Sequence, residues 1–428
     1  MLFGQNKLKI LCYASIISLT FSSDAFCREH SHRLGRSNQS NNDISITENS
    51  GKQQKKQRPN DMTAVIDLSD ILSKYSSQIS KDPSESDIKS ISKKMKKMDI
   101  GDIQISIKNV FDQIDFSEKD YISNVKSRIT KLNTILSKTN LDNQIIYTSL
   151  ESAMQMAVLN TYWHNQISKI SYKAIEKLPI PEFSFNIKKT KVVYDGHHPK
   201  TKLSRPRYSS EQLEELFKKE TEVDVLSCGR TIVNMSGIHN MCGYYAILSQ
   251  IDQSCAGNAL SAGKNKVLDL DTLEKVCQLR LAIAVGSLNE KSDKPLRGSL
   301  LKSALEDKCN GLGISGRGLD YDESSNGVLD SLDLSFLAEA LNKTIAVISD
   351  QYILYGGIGA SLEIRYPDGT IKEYHSLLID DKDMKSKESN SFKDKQNALK
   401  EVLMSDAIVL YHVNRDHYTS VQKIPSEK

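Results

Sequence analysis

The stretch GIHNMCGYYAILSQI, residues 237 to 251, sets one cysteine, Cys242, between an irregular polar loop and a run that is apolar almost throughout from Tyr244 to Leu248. Apolar residues at that density belong to a buried helix. Cys242 therefore stands at a helix N-terminus, where unsatisfied N–H groups and the positive end of the helix dipole favour the thiolate. The same donors can face a developing oxyanion. Cysteine is also a common small core residue, so position alone does not separate a nucleophile from a packed thiol.

A nucleophilic thiol needs a base, and AIVLYHVNRDHYTSV, residues 407 to 421, offers one. There His417 follows the polar turn Asn414 to Asp416 and heads a terminal strand, which lets its ring reach out from a rigid sheet. Cysteine first and histidine far downstream is the order of a nucleophile on a helix facing a base on a sheet. Neutral imidazole takes the thiol proton, and the imidazolium then protonates a leaving amine. The other histidines fit the role less well. His412 alternates with Ile408 and Leu410 and reads as a packed or edge residue, His375 lies within a hairpin, and His239 is a loop residue or a second participant.

The elements that must position this pair are mixed. Helices are expected at Cys242 to Ile251 and over DTLEKVCQLRLAIAVGSL, RGSLLKSALEDK and DLSFLAEALNK. Strands are expected at TIAVI, in the hairpin SLEIRYPDGTIKEYHSLL punctuated by Pro367, Asp368 and Gly369, and in the pair AIVLYHV and HYTSVQKI. Helices come first and strands collect late, so an α+β fold is expected.

Upstream, the chain divides into segments. Residues 1–26, with Lys7 and Lys9 ahead of an apolar stretch from Ile10, have the pattern of a cleavable export signal. Residues 27–62 are dense in Ser, Asn, Gln and charge and are expected to be a disordered linker. Residues 63–178 form a helical region: in YISNVKSRITKLNTIL, Ile122, Val125, Ile129, Leu132 and Leu136 recur at three and four. Its tryptophan, Trp163, is expected as core or an inter-helix contact, or else as an anchor for a partner. Residues 179–208 are a Pro-containing linker, and residues 209–428 a second domain that opens on SSEQLEELFKKE, where Ser209 and Gln212 have capping-box spacing.

Composition excludes several function classes. A length of 428 residues suits two folded units plus tails. A formal charge of +3 from 57 basic and 54 acidic residues, without a basic stripe, makes nucleic acid an unsuitable partner. No segment after the first is long and apolar enough to cross a membrane, so a secreted chain is expected. Cys12, Cys27, Cys228, Cys242, Cys255, Cys277 and Cys309 form no C-x-x-C pair, which disfavours structural zinc and favours free thiols. His197 and His198 have no third ligand at useful spacing. Neither metal nor cofactor is expected.

Three blocks together resemble the ovarian-tumour (OTU) cysteine proteases, mainly deubiquitinases: GIHNMCGYYAIL, LDLSFLAEALNKTIAVI and AIVLYHVNRDHYTSV, spanning about residues 225 to 425. The family's His-Tyr pair falls on His417 and Tyr418. The resemblance implies an OTU-like, papain-type protease domain behind the all-α region, with Cys242 as nucleophile and His417 as general base. The implied reaction is hydrolysis of the isopeptide bond after the C-terminal glycine of ubiquitin or polyubiquitin. The family's Asp-Gly ahead of the cysteine is replaced by His239 and Asn240, and its Asp or Asn two positions after the histidine by Thr419. Asn240, Thr419, an unplaced residue or no residue at all then completes the site; strand alternation sets Thr419 on the face of His417. An export signal on such a chain implies a bacterial effector delivered to a eukaryotic host, with residues 63–178 contacting substrate or a further protein. The nucleophile block also resembles the C-G-x-x-A helices of bacteriocin-processing peptidases, but their preceding glutamine is missing. The remaining alternatives are another papain-like peptidase and a binding protein with a structural cysteine.

Overall fold

The computed structural model describes residues 62–77, 83–112, 114, 121–139, 143–167, 177–183, 208–235, 241–252, 270–291, 298–312, 329–350, 360–378, 391–413 and 417–424. The expected export signal, the linker up to Asp61, His197, His198, His239 and Asn240 lie outside them. The fold is α+β.

Among the described residues five helices come first: α1 (Met62–Ser76), α2 (Glu85–Met95), α3 (Ile100–Asp112), α4 (Tyr121–Leu136) and α5 (Asn143–Tyr162), the last running into a π-helical turn at Trp163–Ile167. In α4, Val125, Ile129, Leu132 and Leu136 are buried at the expected spacing. Trp163 packs on the core beside them, the inter-helix role expected of it. The second half contributes α6 (Ser210–Thr221), β1 (Arg230–Val233), α7 (Cys242–Ile251), α8 (Leu270–Lys291), α9 (Gly298–Leu312), α10 (Ser331–Leu341), β2 (Ile345–Ser349), β3 (Ser361–Arg365), β4 (Ile371–Tyr374), α11 (Phe392–Met404), β5 (Ile408–Val413) and β6 (His417–Lys423). The expected capping box starts α6: the Ser209 side chain accepts from the Gln212 N–H, and Gln212 answers from its own side chain.

The six strands form one sheet in the order β1-β6-β5-β2-β3-β4. β2 and β5 run parallel and every other pair is antiparallel. β3 and β4 are the expected hairpin, closed at Gly369 with φ +83°, where a side chain would be strained. β5 and β6 pair from Val413 opposite His417 back to Leu410 opposite Ser420.

Alternation along the strands gives the sheet two buried faces. Val233, Ile345, Val347, Ile408, Leu410 and Tyr418 face the layer containing α7, α8 and α10. Ile232, Ala346, Ile348, Val409, Tyr411 and Val421 face α6 and α11 through Phe217, Leu399 and Leu403. The Phe217 and Tyr411 rings meet edge to face, centroids 5.2 Å apart.

Residues 60–428 belong to one compact unit, and one hydrophobic core runs from Leu68 in α1 to Leu410 in β5. The cause is α8, which buries both of its sides, so α5 can pack on one and the sheet layer on the other. α11 covers a sheet face and β1 forms an edge strand, neither anticipated from the sequence.

Candidate active site

The helix α7, which Cys242 begins, is fixed to the sheet at both of its ends. Near its C-terminus, Gln250 donates to the Val409 carbonyl at 2.8 Å and accepts from the Val409 N–H at 3.0 Å. This occupies the main chain of β5 where β6 leaves it to pair with β1. One residue back, the Ser249 hydroxyl meets the Ser420 hydroxyl of β6 at 2.9 Å. At the N-terminus, the Tyr418 N–H donates to Cys242 Sγ at 3.5 Å. The sulfur therefore lies against the peptide that joins Tyr418 to His417.

This approach requires a residue without a side chain at 243. A Cβ on Gly243 would sit 2.9 Å from Leu329 Cδ1 and 3.1 Å from Tyr418 Cδ2. Tyr418 is itself held on its other sides. Its hydroxyl donates to the Leu329 carbonyl at 2.8 Å, and its ring stacks on His412 with centroids 4.2 Å apart. Burial pushes its phenol well above the usual range, so it stays a neutral donor. His412 is thus the packed residue the sequence suggested. His375 lies elsewhere, 3.6 Å from Glu373 on the outer strand β4.

Cys242 begins α7 as expected, and the capping side chain of Met241 accepts none of the first-turn N–H groups. These donors face the start of the helix beside the sulfur. The Cys242 residue is only 3% exposed.

His417 is the first residue of β6 and is half-buried. Its Nε2 lies 2.7 Å from Asn234 Oδ1. Asn234 directly follows β1, and its Nδ2 donates to the Tyr208 carbonyl at 3.0 Å. That second bond decides the first. A carbonyl only accepts, so the nitrogen of the Asn234 amide faces Tyr208 and its oxygen faces the histidine. The oxygen only accepts in turn, so Nε2 is the donor in this contact.

Thr419 does not hold the ring. Alternation does put it on the face of His417, but it is fully buried and its hydroxyl donates to the Tyr411 carbonyl across the strand pair at 3.1 Å. The residue in contact with the histidine is Asn234, which the sequence reading missed. Its one signal was a polar amide at the end of the short β-branched run RTIV. Asn240, the other expected participant, lies outside the described residues.

Cys228, Cys242, Cys277 and Cys309 are free thiols. Burial pushes Cys309 up to about 12 and Cys277 further still, which keeps both protonated and inert. Among the described residues no group of three His, Cys, Asp or Glu could hold a metal ion, and no helix is long and apolar enough to cross a membrane.

No protein-family model, curated protein or solved structure matches the chain.

Proposed function

We propose that the chain is a thiol-dependent deubiquitinase with an OTU-like catalytic domain, in which Cys242 is the nucleophile, His417 the general base and Asn234 the group that orients the base. One observation carries this reading: Cys242 Sγ lies against the His417–Tyr418 peptide while Asn234 binds Nε2 of the same histidine. A thiol at a helix start and an imidazole with its tautomer selected are the parts of nucleophilic acyl transfer.

The chemistry follows from those parts. Nδ1 of His417 takes the thiol proton, and the thiolate attacks the carbonyl carbon of the isopeptide bond at the ubiquitin C-terminus. The carbonyl electrons move onto oxygen, and the Cys242 N–H at the head of α7 faces the oxyanion. Collapse expels the lysine amine, which takes the proton from Nδ1. Water, deprotonated by Nδ1, then attacks the thioester and releases ubiquitin and the free thiol. Asn234 acts throughout as an acceptor that stabilises the imidazolium. General acid–base transfer of this kind contributes about 10²- to 10⁴-fold. On this reading ubiquitin or polyubiquitin is the substrate, and the chain is a secreted bacterial effector acting in a host cell.

One observation favours a second reading. With Cys242 only 3% exposed, the thiol also suits a structural core residue in a binding protein. Incubation with isopeptide-linked diubiquitin separates the two. The enzyme reading expects cleavage that Cys242→Ala abolishes; absence of cleavage by the folded chain favours the structural thiol.

A further inference from the structure

The helical region meets the nucleophile helix through α8. α8 pairs Asp271 and Glu274 with Lys126 of α4, at 2.6 and 2.5 Å. Its Lys275 pairs with Asp252, the residue that caps the end of α7, at 2.8 Å. Further along α8 lies Arg280. Its Nη1 donates to Glu151 Oε1 of α5. Its cation also lies 5.2 Å from the centre of the Tyr244 ring, in the first turn of α7 and two residues from the thiol.

Arg280 and Glu151 are each only 2% exposed at the side chain. Burial works against the cation, but the Glu151 carboxylate and smaller contributions from Tyr244 and Cys277 together outweigh it, so the guanidinium stays charged. A buried ion pair of this kind is a weak source of stability, because desolvating two charges cancels much of their attraction. It is a strong source of geometry, since neither partner can move without leaving a charge unpaired.

We infer that Arg280 is a positioning residue for the thiol, and that the α1–α5 region, through Glu151, is an internal support of the active site. This rests on Cys242 being the nucleophile, and it does not require that the substrate be ubiquitin. Glu151 fixes the guanidinium, the guanidinium fixes the Tyr244 ring, and the ring fixes the rotation of α7 about its axis. That rotation decides whether Sγ lies against the His417–Tyr418 peptide. A displacement of about 1 Å at a reacting atom can reduce a rate about a hundredfold.

The test uses the full chain and a small thiol reagent. Iodoacetamide alkylation of Cys242 is followed by peptide mass spectrometry from pH 5 to 9, beside thermal melting, for three proteins: the natural chain, Arg280→Lys, and the double variant Glu151→Met with Arg280→Met. The double variant removes both charges at similar volume, and its melting temperature is expected to stay within about 4 °C. Its alkylation rate is expected to fall about tenfold or more, with the pH profile displaced upward, and Arg280→Lys, which keeps a cation, to lie between it and the natural chain. A natural rate and pH profile in the folded double variant overturns the proposal. If the double variant does not fold, Arg280→Lys decides: a slowed thiol in a folded protein upholds the role, and a natural rate removes it. Failure to cleave diubiquitin combined with Arg280-dependent alkylation would discard the substrate assignment and keep this one.

Discussion

Asn234 and His417 meet through a 2.7 Å contact between Oδ1 and Nε2, although 183 positions separate them in the chain. Asn234 directly follows β1 and His417 begins β6, and these two strands are antiparallel neighbours. Replacing Asn234 with Ala is expected to lower kcat on a ubiquitin amide substrate about 10- to 100-fold with little change in KM, because the ring loses its tautomer and orientation. Asn234→Asp keeps an acceptor and is expected to retain most activity. Thr419→Val is expected to leave kcat near the natural value, since its hydroxyl serves the Tyr411 carbonyl instead. Steady-state kinetics on the three variants check this; a larger loss in Thr419→Val than in Asn234→Ala reverses the assignment.

How much of this was readable beforehand depends on the range of the interaction. The bounds of α7, the Gly369 hairpin and the β5–β6 pair follow from local periodicity and turn residues, and the sequence displays them directly. Asn234 was not readable because β1 is four residues long and gains its meaning from pairing with a strand at the far end of the chain. Glu151 and Arg280 were not readable as core because isolated charges on helices normally face water. Their partner is another charge on a distant helix, and this hid the continuity between the helical region and the sheet layer. The same long-range pairing left α11 unnoticed, since what it covers is assembled from β2, β5 and β6.

Gly243→Ala is expected to lower stability by about 1–3 kcal/mol, the usual range for forcing a methyl group into a closed contact. Leu329 and Tyr418 must move to admit it, and Tyr418 carries the N–H that meets the sulfur. Urea unfolding measures the first effect and the alkylation rate of Cys242 the second; loss of both is expected.

Arg230 is almost fully buried and donates to the main-chain carbonyls of Leu403, Val421, Ser405 and Ala407. Burial lowers its pKa to about 10, so it remains a cation at neutral pH. It joins β1 and β6 to the turn between α11 and β5. Arg230→Met strands these acceptors and is expected to cost about 3 kcal/mol in urea unfolding. An unchanged midpoint would show that the carbonyls find other donors.

Cys277 and Cys309 make stability depend on pH in a defined direction. Burial holds both thiols protonated in the fold, Cys309 up to about 12, while the unfolded chain releases these protons near the ordinary thiol value. The folded state then binds more protons, so the contribution of each thiol is complete below about pH 8.5 and declines as pH rises from there toward 12, by about 1.4 kcal/mol per pH unit. Urea midpoints between pH 8 and 10 are expected to fall less steeply for Cys309→Ala than for the natural chain. Equal slopes would mean that Cys309 titrates alike in both states.

The identity of the nucleophile and its substrate can be read together by incubating the full chain with ubiquitin bearing a C-terminal electrophile, then locating any adduct by peptide mass spectrometry. The proposed chemistry predicts one ubiquitin per chain, attached at Cys242, abolished by Cys242→Ala and slowed by His417→Ala. A folded chain that forms no adduct, or forms one at Cys228 instead, contradicts it.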